Sequence, residues 1–535
     1  MEWDSDQLEV IDSGLERILV IAPAGSGKTE VLAVRAASLA KRGLIQAPSQ
    51  MLALTFTNRA VDNLNFRLRR AFGVNFEKYV SVHNFHGFAA RLITAHGRLI
   101  GLDTSTLIWP EAIWLDAQFA GMDFPVKKWV KDTLADAKKD AAADVEVMER
   151  LEASGCNAAV QYEIRLRTDN RLDFDDVLRN AERLLGIEEI TKSYRDRFPV
   201  IFVDEIQDLT LQELRFVRKL CGEATTAAGD MTQSIFRFKG AEPERSFEAF
   251  SEDAKIIHLR RSYRSAPAIL RVVNALSNLE GATPVECADP SKFPDEGVVA
   301  VLSRRSVDLE AADLLDILLE RALLDPQLSV GVIFRGGQRA AAFERTCTLR
   351  AIPYQSWILA AHDPEVVSLI RRFRSQATGA GPLERVDRLR SICLAEAPDD
   401  DFDLRNDLEA AFAAINSRIE SGVDLEQALD ECRTSGTRDQ PIGPGLHVLN
   451  GHKGKGQQFD WVVILGAEDQ NIPAFYSRST AEIEEERRIF GVMASRARYG
   501  LIVTNVDVEE AGGRTRTRTP SRWLEVIRPH VTETM

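Results

Sequence analysis

The segment Ile18 to Thr29, ILVIAPAGSGKT, constrains this chain more than any other. A β-branched apolar run breaks into a glycine-rich turn and ends Gly-Lys-Thr. That order predicts a buried strand, a phosphate-binding loop and the first turn of a helix. Gly25 and Gly27 can take backbone conformations closed to other residues, so successive N–H groups from Ala24 through Gly27, Ser26 included, point at phosphate oxygens. The positive end of the following helix adds to the attraction. Lys28 is placed to reach the β- and γ-phosphates, Thr29 to put its hydroxyl on Mg²⁺, and Glu30 follows in the first helical turn. The general pattern G-x-x-x-x-G-K-[ST] has Ala22 at its first position here, where the residue opens the turn.

A chain of 535 residues exceeds what one core can serve and predicts about three to four domains. The formal net charge of −14 excludes a protein that is basic all over, but a local positive groove for nucleic acid is compatible with it. The six cysteines are scattered, with no C-x-x-C pair, so neither a disulfide framework nor a zinc or iron–sulfur site is expected and a reducing cytoplasm fits. The acidic start MEWDSDQ, and the lack of any apolar run near 18 residues, predict neither secretion nor a membrane span.

Along the chain, a short helix over 2–16 with Asp4 or Ser5 as N-cap precedes the first strand, and Gln7 on it could read an adenine edge. Strands at 51–58 and 79–82 alternate with helices at 30–42 and 59–72, which predicts an α/β fold with a doubly wound parallel sheet. Ligands gather at the carboxyl ends of such strands. Phe56, Thr57 and Asn58 stand at one end, and Asn84, Phe85 and His86 at another, where an aromatic beside small polar residues suits base stacking. The same two phenylalanines could equally be core.

From 97 to 197 the strand pattern gives way to charged, helical sequence, read as an insertion with a solvated face. PVIFVDEIQDLT at 199–210 restores a buried strand that presents Asp204 and Glu205 at its tip, the first suited to Mg²⁺ and the second to activating water. AAGDMTQSIFRFKGA at 227–241 adds Gln233 and the interleaved Phe236, Phe238 and Lys239, a pattern for stacking and neutralising a single strand. Arg260, Arg261, Tyr263 and Arg264 then form a cluster fit to clamp an anion and a base. A second α/β alternation starts near 298, a smaller helical insertion spans 364–443, and GHKGKGQQFD at 451–460 returns to the sheet. The helix read at 481–500 carries Arg496 and Arg498 near its end, where they would complement the helix dipole, and LIVT at 501–504 is expected to close the sheet.

The ordered set APAGSGKT, LALTFTN, HNFHGF, VDEIQD, GDMTQSIFRFKGA, LRRSYRS, GHKGKGQQFD and EEERRIFGVMASRAR resembles the motifs of superfamily 1A, the UvrD/Rep-like DNA helicases. The resemblance implies two RecA-like P-loop domains, 1–96 with 198–275 and 276–363 with 444–535, and helical insertions at 97–197 and 364–443. It implies ATP and Mg²⁺ as cofactors and single-stranded or tailed DNA moved 3′ to 5′. It further implies that Gln7 and Tyr263 hold adenine, Gln233 couples the γ-phosphate to DNA, and Arg264 and Arg496 act as arginine fingers. By the same resemblance Gln458 lies in the ribose segment, and His452 and Lys453 join Phe56, Phe85, Phe236 and Phe238 in the DNA path.

Departures bear on this. Gln457-Gln458 stands where Leu-Glu is usual, Gly491 and Ser495 replace Tyr and Thr, and Ser262 replaces Asn. The short second insertion separates strand translocation from duplex unwinding as expectations, and no nuclease domain is expected after PSRWL. The competing reading is a DNA- and nucleotide-responsive subunit that gates an OLD-like nuclease, as in Gabija-type antiphage defence.

Overall fold

Strand-forming runs rich in Val, Ile and Leu alternate with amphipathic helices at both ends of the chain, and each set builds its own sheet. The computed structural model describes residues 3–56, 58–73, 75–110, 118–119, 121–277, 284–356, 364–397, 408, 411–412, 415–416, 418–420, 423–430, 443–452, 454–511 and 514–534. Residue contacts divide the chain into two compact units, 1–23 with 27–259, and 24–26 with 260–535.

The first unit holds six strands: β1 (Ile18–Ile21), β2 (Met51–Thr55), β3 (Val80–Asn84), β4 (Val200–Val203), β5 (Ala224–Gly229) and β6 (Lys255–His258). Their order across the sheet is β3-β2-β4-β5-β1-β6, and every pairing is parallel. Parallel strands need crossover helices on both faces. Two apolar layers accordingly sandwich the sheet, one centred on Leu54, Phe88 and Val203, the other on Val20, Leu32 and Phe202.

Among the described residues the stretch from 97 to 197 is helical, as the loss of strand pattern predicts, with one isolated bridge between Ile108 and Arg171. Helices Phe124–Lys138, Asp144–Ala153 and Asn157–Thr168 share a small core around Val130, Val147 and Leu166. The helix Phe174–Leu184 instead packs Val177, Leu178 and Ala181 into the first sheet's core. The face is not wholly solvated, because Lys138 is completely buried. Its ammonium lies 2.8 Å from Glu163, 2.7 Å from Asp173 and 2.8 Å from Asp176.

In the second unit, a two-residue ladder pairs β7 (Arg261–Ser262) with β8 (Glu286–Cys287). The main sheet comprises β9 (Val298–Ser306), β10 (Ser329–Phe334), β11 (Gln355–Ser356), β12 (Gly445–Asn450), β13 (Phe459–Leu465), β14 (Ala497–Ala511), β15 (Arg514–Thr517) and β16 (Glu533–Thr534). The order is β11-β12-β10-β13-β14-β9-β16, parallel throughout, with β15 turned back antiparallel on β14. LIVT therefore does not close the sheet. It lies inside β14, between β13 and β9, because β9 pairs along the other side of β14, and β16 in turn covers the outer side of β9. The helices Pro364–Phe373, Pro382–Glu396 and Leu425–Asp430 carry a separate core around Ile370, Val386 and Phe412.

Both sheets bear out the α/β expectation. The five described cysteines are free thiols. Among the described residues no helix is long and apolar enough to cross a membrane.

Candidate nucleotide and nucleic-acid site

At the carboxyl end of β1, Gly25 and Gly27 have φ of 82° and 79°, the left-handed region that glycine enters without a Cβ clash. The helix Lys28–Lys41 starts at once, with Gly27 as its N-cap, so its first backbone N–H groups are left for an anion. Ala22 plays no part in that cradle. It is buried in the core, and its N–H donates to the Gly229 carbonyl at 2.9 Å.

Lys28 Nζ lies 3.1 Å from Asp204 and 2.8 Å from Glu205, the two carboxylates at the tip of β4. Burial would lower the lysine pKa, but Asp204 and Glu205 outweigh it and raise it. Burial is also the largest influence on Asp204 and raises its pKa, against the pull of Lys28. The cation suited to a phosphate and the carboxylates suited to a metal and a water thus neutralise one another. Glu205 takes φ 57° and ψ 45°, a conformation rare for a residue with a long side chain and a form of strain met at reactive positions. Hard oxygen donors such as Asp204 and Thr29 are the ligand type that Mg²⁺ selects.

Asp4 is the N-cap of the helix Ser5–Asp12, where Gln7 completes a capping box. Gln7 N–H donates to Asp4 at 2.8 Å, while its Oε1 accepts from the Asp4 N–H at 3.3 Å. Its Nε2 faces the loop, 3.2 Å from where a Cβ on Gly27 would stand. That helix is held by a residue the sequence reading did not single out. Arg35, almost wholly buried, donates to the carbonyls of Val10, Ser13 and Gly14 at 2.7, 2.9 and 2.8 Å, and to Thr226 Oγ1 at 3.0 Å. One signal was available, since an arginine inside VLAVRAASLA lies on an otherwise apolar helix face. Replacing Arg35 with Met strands those carbonyls at about 1–3 kcal/mol each at most. A lower thermal midpoint and a raised KM for ATP are the expected results. An unchanged KM would detach Arg35 from the placement of Gln7. Glu30 pairs with Arg67 of the helix Asn58–Phe72.

The strand tips gather the aromatics in two different ways. Phe56 and Phe236 stack at 5.8 Å between centroids and 24° between planes, both half-buried, with Lys239 Nζ 5.5 Å from the Phe236 ring centre. Phe85, by contrast, is 1% exposed and packs in the core with Leu54 and Phe88. The placement is that of a packing side chain, because the helix Phe85–His96 buries Phe85 together with Phe88, Ala89 and Leu92 in that core. Asn84 caps that helix, accepting from the Gly87 N–H at 2.5 Å. His86 meets the exposed Phe174 edge-on at 6.2 Å, and burial lowers its pKa. Thr57 and Lys453 lie outside the described residues, as do the side chains of Asn58 and Phe238. Gln233 donates to Asp230 at 2.7 Å, and burial raises the Asp230 pKa.

In the second unit, Arg264 and Arg496 converge on Ser495. Arg264 Nη1 donates to the Ser495 carbonyl at 3.2 Å, and Arg496 Nη2 to its hydroxyl at 2.8 Å. The helix in this region is Thr480–Ala494, shorter than the 481–500 read from sequence. Of the two arginines expected at its carboxyl end, Arg496 serves it, through Nε to the Val492 carbonyl at 2.9 Å. Arg498 lies on β14 and pairs with Asp460 at 3.1 Å. Tyr263, 44% exposed, donates its N–H to the Gly25 carbonyl at 2.9 Å. In the turn between β12 and β13, His452 is half-buried, Gln457 buried and Gln458 exposed.

Residues 3–255 match the UvrD/REP helicase N-terminal domain, and residues 375–507 match the UvrD-like helicase C-terminal domain. The ATP-dependent DNA helicase UvrD2 of Mycobacterium tuberculosis (strain H37Rv) is 25% identical over 582 residues, covering 98% of this chain and 81% of that protein. The ATP-dependent DNA helicase PcrA of Staphylococcus aureus (strain NCTC 8325) is 23% identical over 635 residues, covering 98% and 86%. PcrA of Staphylococcus epidermidis (strain RP62A) is 23% identical over 636 residues, with the same coverage. With a phosphate loop, paired strand-tip carboxylates and an aromatic–cation stack on one parallel sheet, and two matched segments that take in most of the sequence, the chain belongs to the UvrD-like ATP-dependent DNA helicases.

Proposed function

We propose that this enzyme is a motor that moves 3′ to 5′ along single-stranded DNA, turning over one ATP per step. The observation that carries the proposal is the Lys28–Asp204–Glu205 constellation, on the same sheet as the Phe56–Phe236 stack. Thr29 and Asp204 would hold Mg²⁺, which offsets charge on the phosphates. Lys28 leaves its carboxylates for the γ-phosphate, and Glu205, released from that ion pair, accepts the proton of the attacking water. In this reading Lys28 grips the γ-phosphate, and Arg264 and Arg496 keep the arginine-finger role that the resemblance implies. Hydrolysis loosens the hold of Lys28, and base stacking on Phe56 and Phe236 turns that cycle into movement. Gln7 and Tyr263 hold the base, and Gln233 reports the γ-phosphate to the DNA path. The free thiols suit a reducing cytoplasm.

The test is the ATPase rate with and without single-stranded DNA, followed by displacement of streptavidin from strands biotinylated at either end. Stimulation and preferential clearing of the 5′ end are expected. An unstimulated rate, or clearing of the 3′ end, refutes the motor or its direction. Activity that appears only when an OLD-like nuclease is added would establish the gating role instead. Phe236→Ala should weaken binding to single-stranded DNA by about 1–3 kcal/mol, the worth of one stacked base. Fluorescence anisotropy reads that loss, and the KM for ATP without DNA should not move.

A further inference from the structure

Gln207 lies two residues beyond Glu205, in the single turn Ile206–Asp208, and is wholly buried. Its amide bridges two segments. Nε2 donates to the Glu205 carboxylate, and Oε1 accepts the N–H of Asp230 at 3.1 Å. The second bond fixes which end of the amide is which, since only the oxygen can accept a backbone N–H. Asp230 in turn accepts the Gln233 amide at 2.7 Å, and the N–H and hydroxyl of Thr232 at 2.9 and 2.7 Å. An unbroken chain of hydrogen bonds therefore runs Glu205, Gln207, Asp230, Gln233. The site is closely filled: a Cβ on Gly229 would stand 2.7 Å from Gln207 Oε1 and 2.7 Å from Ile206 Cγ1, so a larger residue there would displace the amide or the isoleucine.

We infer that Gln207 is a positioning residue, holding the Glu205 carboxylate in its reactive orientation and tying that orientation to the loop that carries Gln233. Glu205 needs such a restraint, because its left-handed backbone persists only when its surroundings over-determine it. A carboxylate with two rotatable bonds beyond Cβ otherwise samples poses useless to a water. The chain also gives the loop a mechanical handle on the base. A shift of Asp230 moves the amide that Glu205 leans on, and both ends of the amide are spoken for, so it cannot swivel to compensate. The inference rests on the proposal that Glu205 acts as the base.

The experiment measures basal, DNA-free ATPase, so it reads Gln207 whether or not DNA stimulates the enzyme. Gln207→Glu keeps an acceptor for the Asp230 N–H and removes the donor to Glu205. Gln207→Met removes both. Each should lower kcat by about 10- to 100-fold, the scale of a displaced reacting group, with the KM for ATP and the binding of a labelled non-hydrolysable ATP analogue within about threefold. Combined with Gln233→Ala, Gln207→Met should cost less than the product of the two single losses, because both act through Asp230. Thermal midpoints separate misfolding from mispositioning, and Gln207→Glu stands alone if Gln207→Met fails to fold. A kcat within twofold of the parent for Gln207→Glu, beside an inactive Glu205→Gln, overturns the inference alone. Full activity in Glu205→Gln overturns the base assignment and the inference with it. Strictly multiplicative losses in the double variant overturn the link to Gln233.

Discussion

Glu205→Gln should bind ATP and single-stranded DNA as the parent does and lose turnover by roughly 10²- to 10⁴-fold, the usual contribution of a positioned general base. The substitution keeps the length and shape of the side chain and the backbone at φ 57°. It removes one of the two charges facing Lys28, and the partner at 3.1 Å, Asp204, stays. Nucleotide affinity therefore holds or improves, since the phosphate has one carboxylate fewer to displace from the lysine. Single-turnover hydrolysis and equilibrium binding of a labelled ATP analogue separate these effects. Residual turnover above a tenth of the parent rate would assign the proton to another group.

Lys138→Met should be the most destabilising single change in the helical insertion, by about 3–5 kcal/mol, as for a buried ion pair deprived of one partner. Burial alone would lower the Lys138 pKa, but Asp173, Asp176 and Glu163 outweigh it and hold it well above the usual lysine range. Its stabilising effect is thus complete at neutral pH and is lost only in strong alkali. The carboxylates differ from one another. Burial and the neighbouring Asp176 push Asp173 up to about 8, whereas Asp176, despite its burial, is held low by Lys138 and Arg179. Because Asp173 is raised from 3.8, its share of stability is present in acid and declines as pH rises towards about 8. Asp173→Asn should flatten that decline, and adding it to Lys138→Met should recover part of the loss. Urea unfolding at several pH values tests both, and a Lys138→Met cost below about 1 kcal/mol would contradict the buried network.

Local chemistry explains which parts of the site are legible in the sequence. A glycine loop ending in Lys-Thr and a buried strand ending in Asp-Glu are each confined to a few neighbouring residues, and the alternation of strands and helices made the parallel sheets readable. Aromatics were not readable in the same way. Phe56 and Phe85 have similar surroundings in sequence, yet one stacks on Phe236 at a strand tip and the other is sealed in the core. Helix ends were also blurred, and the 481–500 reading ran past Ala494 because ARYGLIVT is apolar enough to continue either element.

The phosphate chemistry is written in neighbouring residues: the loop from Ile18 to Thr29, the carboxylates at 204 and 205, and an α/β frame to hold them. Which charges satisfy one another is set by the folded chain. Arg35 reaches back to Val10, Arg264 meets Ser495 across 231 positions, Gln207 joins Glu205 to Asp230, and Lys138 gathers Asp173 and Asp176. Such pairings carry no periodic trace along the chain. They arise because a polar group drawn out of water must find its partner wherever folding has brought one within reach.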